Sequence, residues 1–148
     1  MSESLRSAAG RKVISRADAR DLGVVGHLLV DAAERRIAAI VIGRGRKAQL
    51  IDWSQVTGFG PDAVMVIDDG AVRAPIDDRE RAAAAVEMVG RRVLTEHGTE
   101  LGMLDDVTFD AATGTVEMLR TGDREIPAGS LLGSGPYAVV VDAGQDAG

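Results

Sequence analysis

The sequence has no cysteine among its 148 residues, which excludes a disulfide framework and any metal site built on thiolates. It has two histidines, His27 and His97, so a transition-metal site would have to combine a single imidazole with carboxylates. One tryptophan, one tyrosine and two phenylalanines are its only aromatic residues. A hydrophobic core must therefore be built mainly from Val, Leu, Ile and Ala.

Long apolar runs are also missing. No segment approaches the roughly 18 consecutive apolar residues of a membrane-spanning helix. Residues 1–10 lack the basic segment and the following apolar segment of a secretory signal. Because cysteine is absent as well, we expect a cytoplasmic protein.

Catalytic and cofactor-binding motifs are not found. Ser54 and Ser130 do not lie in a G-x-S-x-G motif, and the Gly-Arg-Gly at residues 43–45 holds only the first two glycines of a dinucleotide fingerprint. Three acidic residues, Asp105, Asp106 and Asp110, are close in sequence, but neighbouring strand residues point to opposite faces, so they do not predict a metal site. We therefore expect no catalytic residue, no bound cofactor and no metal ion.

Charge is distributed unevenly along the chain. Residues 1–85 contain 13 Lys or Arg and 12 Asp or Glu, whereas residues 86–148 contain 4 and 11, within a total net charge of −6. An acidic second half repels phosphate backbones, which argues against broad nucleic-acid binding. A local basic patch in the first half remains compatible with this distribution.

The pattern of residues occurs twice. The sequence GRKVIS at residues 10–15 returns as GRRVLT at residues 90–95, and the Gly, Pro, Ala and Val positions of residues 58–66 return at residues 133–141. Equivalent positions are 80 residues apart at the start of the pattern and 75 residues apart at its end, which is expected if some turns are shorter in the second copy. An ordered series of this kind indicates an internal repeat.

Each copy contains five or six short apolar segments separated by turns, which predicts small β-barrels. In residues 36–43 both the odd-numbered and the even-numbered positions are apolar, which predicts a strand buried on both faces. Residues 54–61 are predicted as a turn because they contain Gly58 and Gly60. The apolar residues of the second strand change phase near Gly26 and near Asp105. Either a β-bulge restores the phase, or the strand begins one residue later.

The repeats are joined by a segment of different composition. At residues 69–88, Asp77 precedes Glu80 and four consecutive alanines, which predicts a short capped helix. The predicted organisation is mainly β, with two tandem small barrels joined by a linker with a short helix. Its parts are a flexible N-terminus at residues 1–9, repeat 1 at 10–68, the linker at 69–88, repeat 2 at 89–142 and a flexible tail at 143–148.

Both repeats resemble the PRC-barrel domain. The resemblance is carried in repeat 1 by GRKVIS, LGVVGHLLVD, RIAAIVIG and FGPDAVMVI, and in repeat 2 by GRRVLT, LGMLDDVTFDAATGTV and SGPYAVVVD. The family includes the cytoplasmic domain of the photosynthetic reaction-centre H subunit and the C-terminal domain of a 16S rRNA-processing protein. The resemblance implies a non-catalytic docking barrel, and it favours a structural role for Asp106.

Four residues are candidates for contact with a partner. Three of them form a basic cluster after the third strand of repeat 1, which we call the basic tip: Arg44, Arg46 and Lys47. Repeat 2 has no counterpart of this cluster, because its residues 121–124 are TGDR. Three cations on a glycine-containing hairpin can bind phosphate or carboxylate, although charge at a hairpin tip also serves solubility. Trp53 can anchor a partner or pack at the end of the barrel.

These features lead to three hypotheses about function. The first is a protein-interaction or adaptor module that docks a protein partner. The second is a ribosome- or RNA-associated factor that uses the basic tip. The third is a membrane-peripheral or cell-division adaptor that uses the same tip on anionic lipid. A homodimer is compatible with each, because a single repeat is small for independent stability.

Overall fold

A computed structural model describes residues 2–142 and residue 144, and it is mainly β. Its strands and helices, in chain order, are β1 (Ser2–Ser4), α1 (Leu5–Ala8), β2 (Lys12–Ser15), β3 (Asp21–Asp31), β4 (Arg36–Ile42), β5 (Gln49–Asp52), β6 (Val56–Phe59), β7 (Ala63–Val66), β8 (Val72–Arg73), α2 (Asp78–Ala85), β9 (Arg92–Thr95), β10 (Glu100–Met103), β11 (Asp106–Asp110), β12 (Val116–Thr121), β13 (Arg124–Pro127), β14 (Leu131–Ser134) and β15 (Ala138–Val141). Among the described residues, no helix is long and apolar enough to cross a bilayer.

Repeat 1 forms one seven-stranded sheet with the order β6-β7-β2-β3-β4-β5-β8. The pairing of β2 with β7 is parallel, and every other pairing in this sheet is antiparallel. The register of β3 shifts between Val25 and His27, so the predicted bulge is confirmed at Gly26. This bulge lets one strand turn Val25 and Leu28 towards the same core.

Repeat 2 distributes the equivalent strands over two sheets, with the orders β10-β9-β15-β14 and β1-β11-β12-β13. Here β10 ends at Met103 and β11 begins at Asp106, so an interruption replaces the bulge. The hydrogen-bonded strand orders in the described part of the chain are open at both edges rather than closed rings.

The hydrogen bonds confirm that the chain is a duplication. The amide of Gly10 donates to the carbonyl of Val25 at 2.7 Å, and the amide of Gly90 donates to the carbonyl of Leu104 at 2.8 Å. The parallel pairing of β2 with β7 returns as the parallel pairing of β9 with β15. Equivalent residues therefore make equivalent bonds, as the repeated glycine and apolar positions predicted.

The two repeats meet along a seam formed by residues 35–37 and 114–116. At its centre Arg36 pairs with Thr115 in an antiparallel bridge. The flanking hydrogen bonds run from the amide of Ile37 to the carbonyl of Gly114 (2.8 Å) and from the amide of Val116 to the carbonyl of Arg35 (2.9 Å). Buried side chains of both repeats share one core cluster across this seam. The repeats therefore pack as one unit.

The predicted helix is confirmed as α2. The side chain of Asp77 accepts from the amide of Glu80 at 2.8 Å, which caps the first turn. Ala84 packs with Ala39 and Val41 of β4 in a second core cluster. The other face of β4 belongs to the main core, so the prediction of burial on both faces is confirmed for residues 39–42, whereas Arg36 and Ala38 are exposed.

Two sequence predictions are corrected. Residues 2–8 are not frayed: β1 pairs with β11 of repeat 2, and Leu5 and Ala8 are buried. Residues 54–61 are not only a turn, because β6 pairs with β7 at the edge of the sheet with a register shift at Gly58. The predicted tail at residues 143–148 lies, apart from Gly144, outside the described residues.

Candidate functional site

The basic tip lies on the connection between β4 and β5, where residues Gly45–Lys47 form a short 3-10 turn. The side chains of Arg44, Arg46 and Lys47 are exposed. Within the part of the chain that the structure describes, none of them has an ion pair with a carboxylate within 4 Å. The tip therefore presents three cations whose charge is not compensated by a neighbouring acid.

Glycine shapes this tip at two positions. Gly43 has a φ of +82°, and a Cβ atom added to it would lie 3.2 Å from the carbonyl oxygen of Lys47. Gly45 has a φ of +57°. Residues with side chains adopt this left-handed region at a cost, so the two glycines allow the tight turn that brings the three cations together.

The tip is supported by buried residues directly below it. Ala48, which follows the turn, is 3% exposed and packs with Leu50 and Ala84 in the second core cluster. The turn lies beside α2, which carries two more exposed cations, Arg79 and Arg81. No local sequence pattern predicts this support of the tip, because it depends on how α2 packs on the sheet.

An ionic network attaches α2 to the sheet. The guanidinium of Arg73 donates to both carboxylate oxygens of Asp52, at 2.8 and 3.2 Å, and to both of Glu80, at 2.6 and 3.0 Å. Its hydrogen bonds lower the pKa of Glu80, and Glu80 in turn raises the pKa of Arg73. The network therefore ties β8, β5 and α2 together while Glu80 is ionised.

This network predicts a loss of stability in acid. A carboxylate whose pKa is lowered by folding stabilises the fold above its unfolded pKa of about 4.3, and that contribution is lost as the pH falls through the lower folded value. We expect Glu80→Gln to lower the free energy of unfolding near neutral pH by roughly 1–3 kcal/mol. Urea unfolding measured between about pH 7 and pH 3 should show the difference from the wild type shrinking towards the acid end.

The control for this prediction is Glu125→Gln, which removes an exposed carboxylate in repeat 2. It is expected to change the free energy of unfolding by less than about 0.5 kcal/mol. A constant difference between Glu80→Gln and the wild type across the whole pH range would contradict the assigned role of Glu80.

Trp53 packs in the seam rather than standing free on the surface. Its ring centroid lies 5.7 Å from that of Phe59 and 6.2 Å from that of Phe109 in repeat 2. A Cβ atom added to Gly114 would come within 2.8 Å of the Trp53 ring. This packing between the repeats differs from the predicted packing at a barrel end, and contact of Trp53 with a partner stays a prediction.

His27 joins the bulged strand to the end of α2. Its Nε2 lies 2.8 Å from the carbonyl oxygen of Ala84. Because a carbonyl oxygen only accepts, Nε2 carries the proton and donates. The other ring nitrogen, Nδ1, is buried and has no hydrogen-bond partner among the described residues. The second histidine, His97, lies exposed in the turn after β9.

The carboxylates of the acidic cluster (Asp105, Asp106 and Asp110) accept hydrogen bonds from backbone amides. Asp110 accepts from the amides of the turn that follows β11, as predicted for a residue at the start of a turn. Asp105 accepts from the amide of Gly122 at 2.7 Å, and Asp106 accepts from the amide of Arg6 at 3.1 Å. Within the described chain, no three His, Asp or Glu side chains form a group that could hold a metal ion.

The site therefore offers three cations on a supported turn, which suit the binding of an anionic partner. A family model for the PRC-barrel domain matches the chain twice, over residues 2–82 and 80–147. No curated protein matches it. The two matches agree with the duplicated hydrogen bonds and confirm the resemblance in the sequence. The chain belongs to the PRC-barrel domain family and contains two consecutive copies of that domain.

Proposed function

We propose that this tandem PRC-barrel chain is a non-catalytic, cytoplasmic adaptor that docks a protein partner through the basic tip of repeat 1. The observation that carries the proposal is that Arg44, Arg46 and Lys47 are exposed together and form no ion pair with any carboxylate in the described part of the chain. An uncompensated cluster of one sign attracts a partner of the opposite sign and orients it.

Two further observations support docking at this tip. The turn is supported by Ala48 and by α2, so the backbone that carries the cations is already in place when a partner arrives, which lowers the entropic cost of binding. Repeat 2 lacks an equivalent cluster although it shares the fold. A feature present in only one of two similar copies is therefore not required for folding a PRC barrel.

The experiment is affinity capture from lysate with the full-length chain, with and without nuclease. The triple variant Arg44→Ala/Arg46→Ala/Lys47→Ala should reduce capture of the bound protein at least about tenfold, because three charge-assisted contacts are lost. The captured protein should stay bound after nuclease treatment. Capture that disappears with nuclease would replace the proposal with an RNA- or ribosome-associated function.

A matched control removes the same charge elsewhere in repeat 1. Lys12→Ala/Arg16→Ala/Arg20→Ala eliminates three exposed cations around the connection between β2 and β3. The ion pairs of Lys12 with Asp21 and of Arg20 with Asp69 are exposed and contribute little to stability. This control should retain capture. Equal loss in both variants would mean that overall charge, not the tip, controls binding.

Anionic membranes are tested separately. Flotation with vesicles that contain phosphatidylserine should leave the protein unbound at physiological salt, because the net charge of the chain is −6. Binding to these vesicles that depends on the basic tip would instead support the membrane-peripheral hypothesis.

A further inference from the structure

A continuous groove leads away from the basic tip. One cavity of about 670 Å³ is lined by Arg44 and Gly45 of the tip and by Ala85 at the end of α2, and a second of about 440 Å³ lies beside Leu5 and Met88. The two cavities share the lining residues Ala9, His27 and Glu87. The groove therefore runs from the tip, past the bulge of β3, to the place where α1 and residues 87–90 approach each other.

We propose that this groove binds an extended acidic segment of the partner protein, with its acidic end on the basic tip. This inference rests on the proposed docking function and names the chemistry of the occupant. Each cavity has a volume typical of binding sites for small molecules or short peptide segments.

The charge of the groove gives the segment its direction. At one end Arg44 lines the groove, with Arg46 and Lys47 in the same turn. Glu87 lines both cavities, and at the other end Arg6 shares the lining with apolar residues such as Leu28 and Val89. An occupant that matches both ends is acidic at the tip and apolar at the far end.

His27 is the residue of the bulged strand that lies closest to the course of the groove, because it lines both cavities. Its Nε2–H is used by the carbonyl of Ala84, so Nδ1 is a buried acceptor without a donor among the described residues. A buried acceptor left without a partner costs roughly 1–3 kcal/mol. His27 lines both cavities, so an occupant of the groove would lie against this residue.

The same features favour a peptide over RNA. Single-stranded nucleic acid binds through several phosphate contacts and through aromatic side chains on which its bases stack. Among the described residues, no Phe, Tyr or Trp lines either cavity of the groove, and Trp53 is packed against Phe59 and Phe109. Glu87 lines both cavities, so a phosphate backbone along the groove would meet a carboxylate between Arg44 and Arg6.

The test uses two substitutions on one helix. Ala85→Trp places a large side chain at an exposed position that lines the groove and leaves every cation in place. Ala82→Trp makes the same change at an exposed position of α2 that lines neither cavity. Both proteins can be checked for an unchanged fold by circular dichroism and urea unfolding before binding is measured.

The probe is a random dodecapeptide library displayed on phage and selected on the full-length chain. We expect enriched peptides to carry clustered Asp or Glu followed by an apolar residue. Their fluorescein-labelled forms should bind Ala85→Trp at least about tenfold more weakly than the wild type in fluorescence polarisation, while Ala82→Trp binds as the wild type does.

Several results would contradict the proposal that the groove binds an acidic segment. These are a selection without peptide binders, enriched peptides without acidic residues, and affinities for Ala85→Trp within about twofold of the wild type. The outcomes also separate the groove from the proposed function. If the triple variant of the basic tip loses the captured protein and Ala85→Trp retains it, the proposal of docking at the tip is supported, and the proposal of binding in the groove is contradicted. If the triple variant retains it, the proposed function itself fails.

Discussion

Replacing Gly114 with alanine is expected to lower the free energy of unfolding by roughly 2–4 kcal/mol. Gly114 has a φ of +79°, where a residue with a Cβ atom is strained. The added Cβ would lie 2.8 Å from Cε2 and Nε1 of Trp53. The Trp53 ring cannot move away freely, because it packs against Phe59 and Phe109. Urea unfolding followed by circular dichroism measures this loss.

The matched control is Gly98→Ala in the turn after β9. Gly98 has a φ of +86°, but a Cβ atom added there meets nothing within 4 Å. This variant measures backbone strain alone, so it should cost less than Gly114→Ala. The double variant Trp53→Ala/Gly114→Ala should cost less than the two single changes together, because removing the ring removes the clash. Additive costs would mean that Trp53 and Gly114 do not interact across the seam.

Replacing Phe109 with alanine is expected to lower the free energy of unfolding by roughly 3–5 kcal/mol. Phe109 belongs to repeat 2 and is fully buried, and its ring makes edge contacts with Phe59 at 5.4 Å and Trp53 at 6.2 Å in repeat 1. The cavity left by alanine would therefore open in both repeats. Fluorescence of Trp53 reports directly on repeat 1.

If the repeats are one cooperative unit, the fluorescence and circular dichroism transitions of Phe109→Ala should shift together to lower urea concentration. The control Tyr137→Ala removes a ring of repeat 2 that is 70% exposed and should cost less than about 1 kcal/mol. A fluorescence transition left at its wild-type midpoint in Phe109→Ala would show instead that the barrels unfold independently.

Local patterns in the sequence account for much of this fold. The repeated glycine and apolar positions predicted the duplication because each is tied to its own turn or strand. Asp77 predicted the start of α2 because a cap acts within one turn of helix. The change of phase in the second strand predicted the bulge at Gly26, since a strand can bury both Val25 and Leu28 only by gaining a residue.

The contacts between repeats could not be predicted in this way. β1 pairs with a strand more than 100 residues away, and its sequence is polar apart from the adjoining Leu5, so periodicity carries no signal of it. The seam depends on backbone hydrogen bonds, which any residue can make. The contact between Trp53 and Gly114 likewise joins residues far apart in the sequence, so no local pattern predicts it.

The candidate site was predicted only in part. Arg44, Arg46 and Lys47 are adjacent in sequence, so their clustering follows from the hairpin alone. The support of the tip by α2 arises because Ala84 packs with Ala48 and β4, which depends on the tertiary structure. The unpaired Nδ1 of His27 likewise depends on where α2 ends.

The most direct test of docking at the basic tip is the dissociation constant of the captured protein for three purified chains. These are the wild type, the tip variant Arg44→Ala/Arg46→Ala/Lys47→Ala and the control Lys12→Ala/Arg16→Ala/Arg20→Ala. We expect the tip variant to bind at least about tenfold more weakly and the control to bind within about twofold of the wild type. Equal affinity of the tip variant and the wild type would contradict the account.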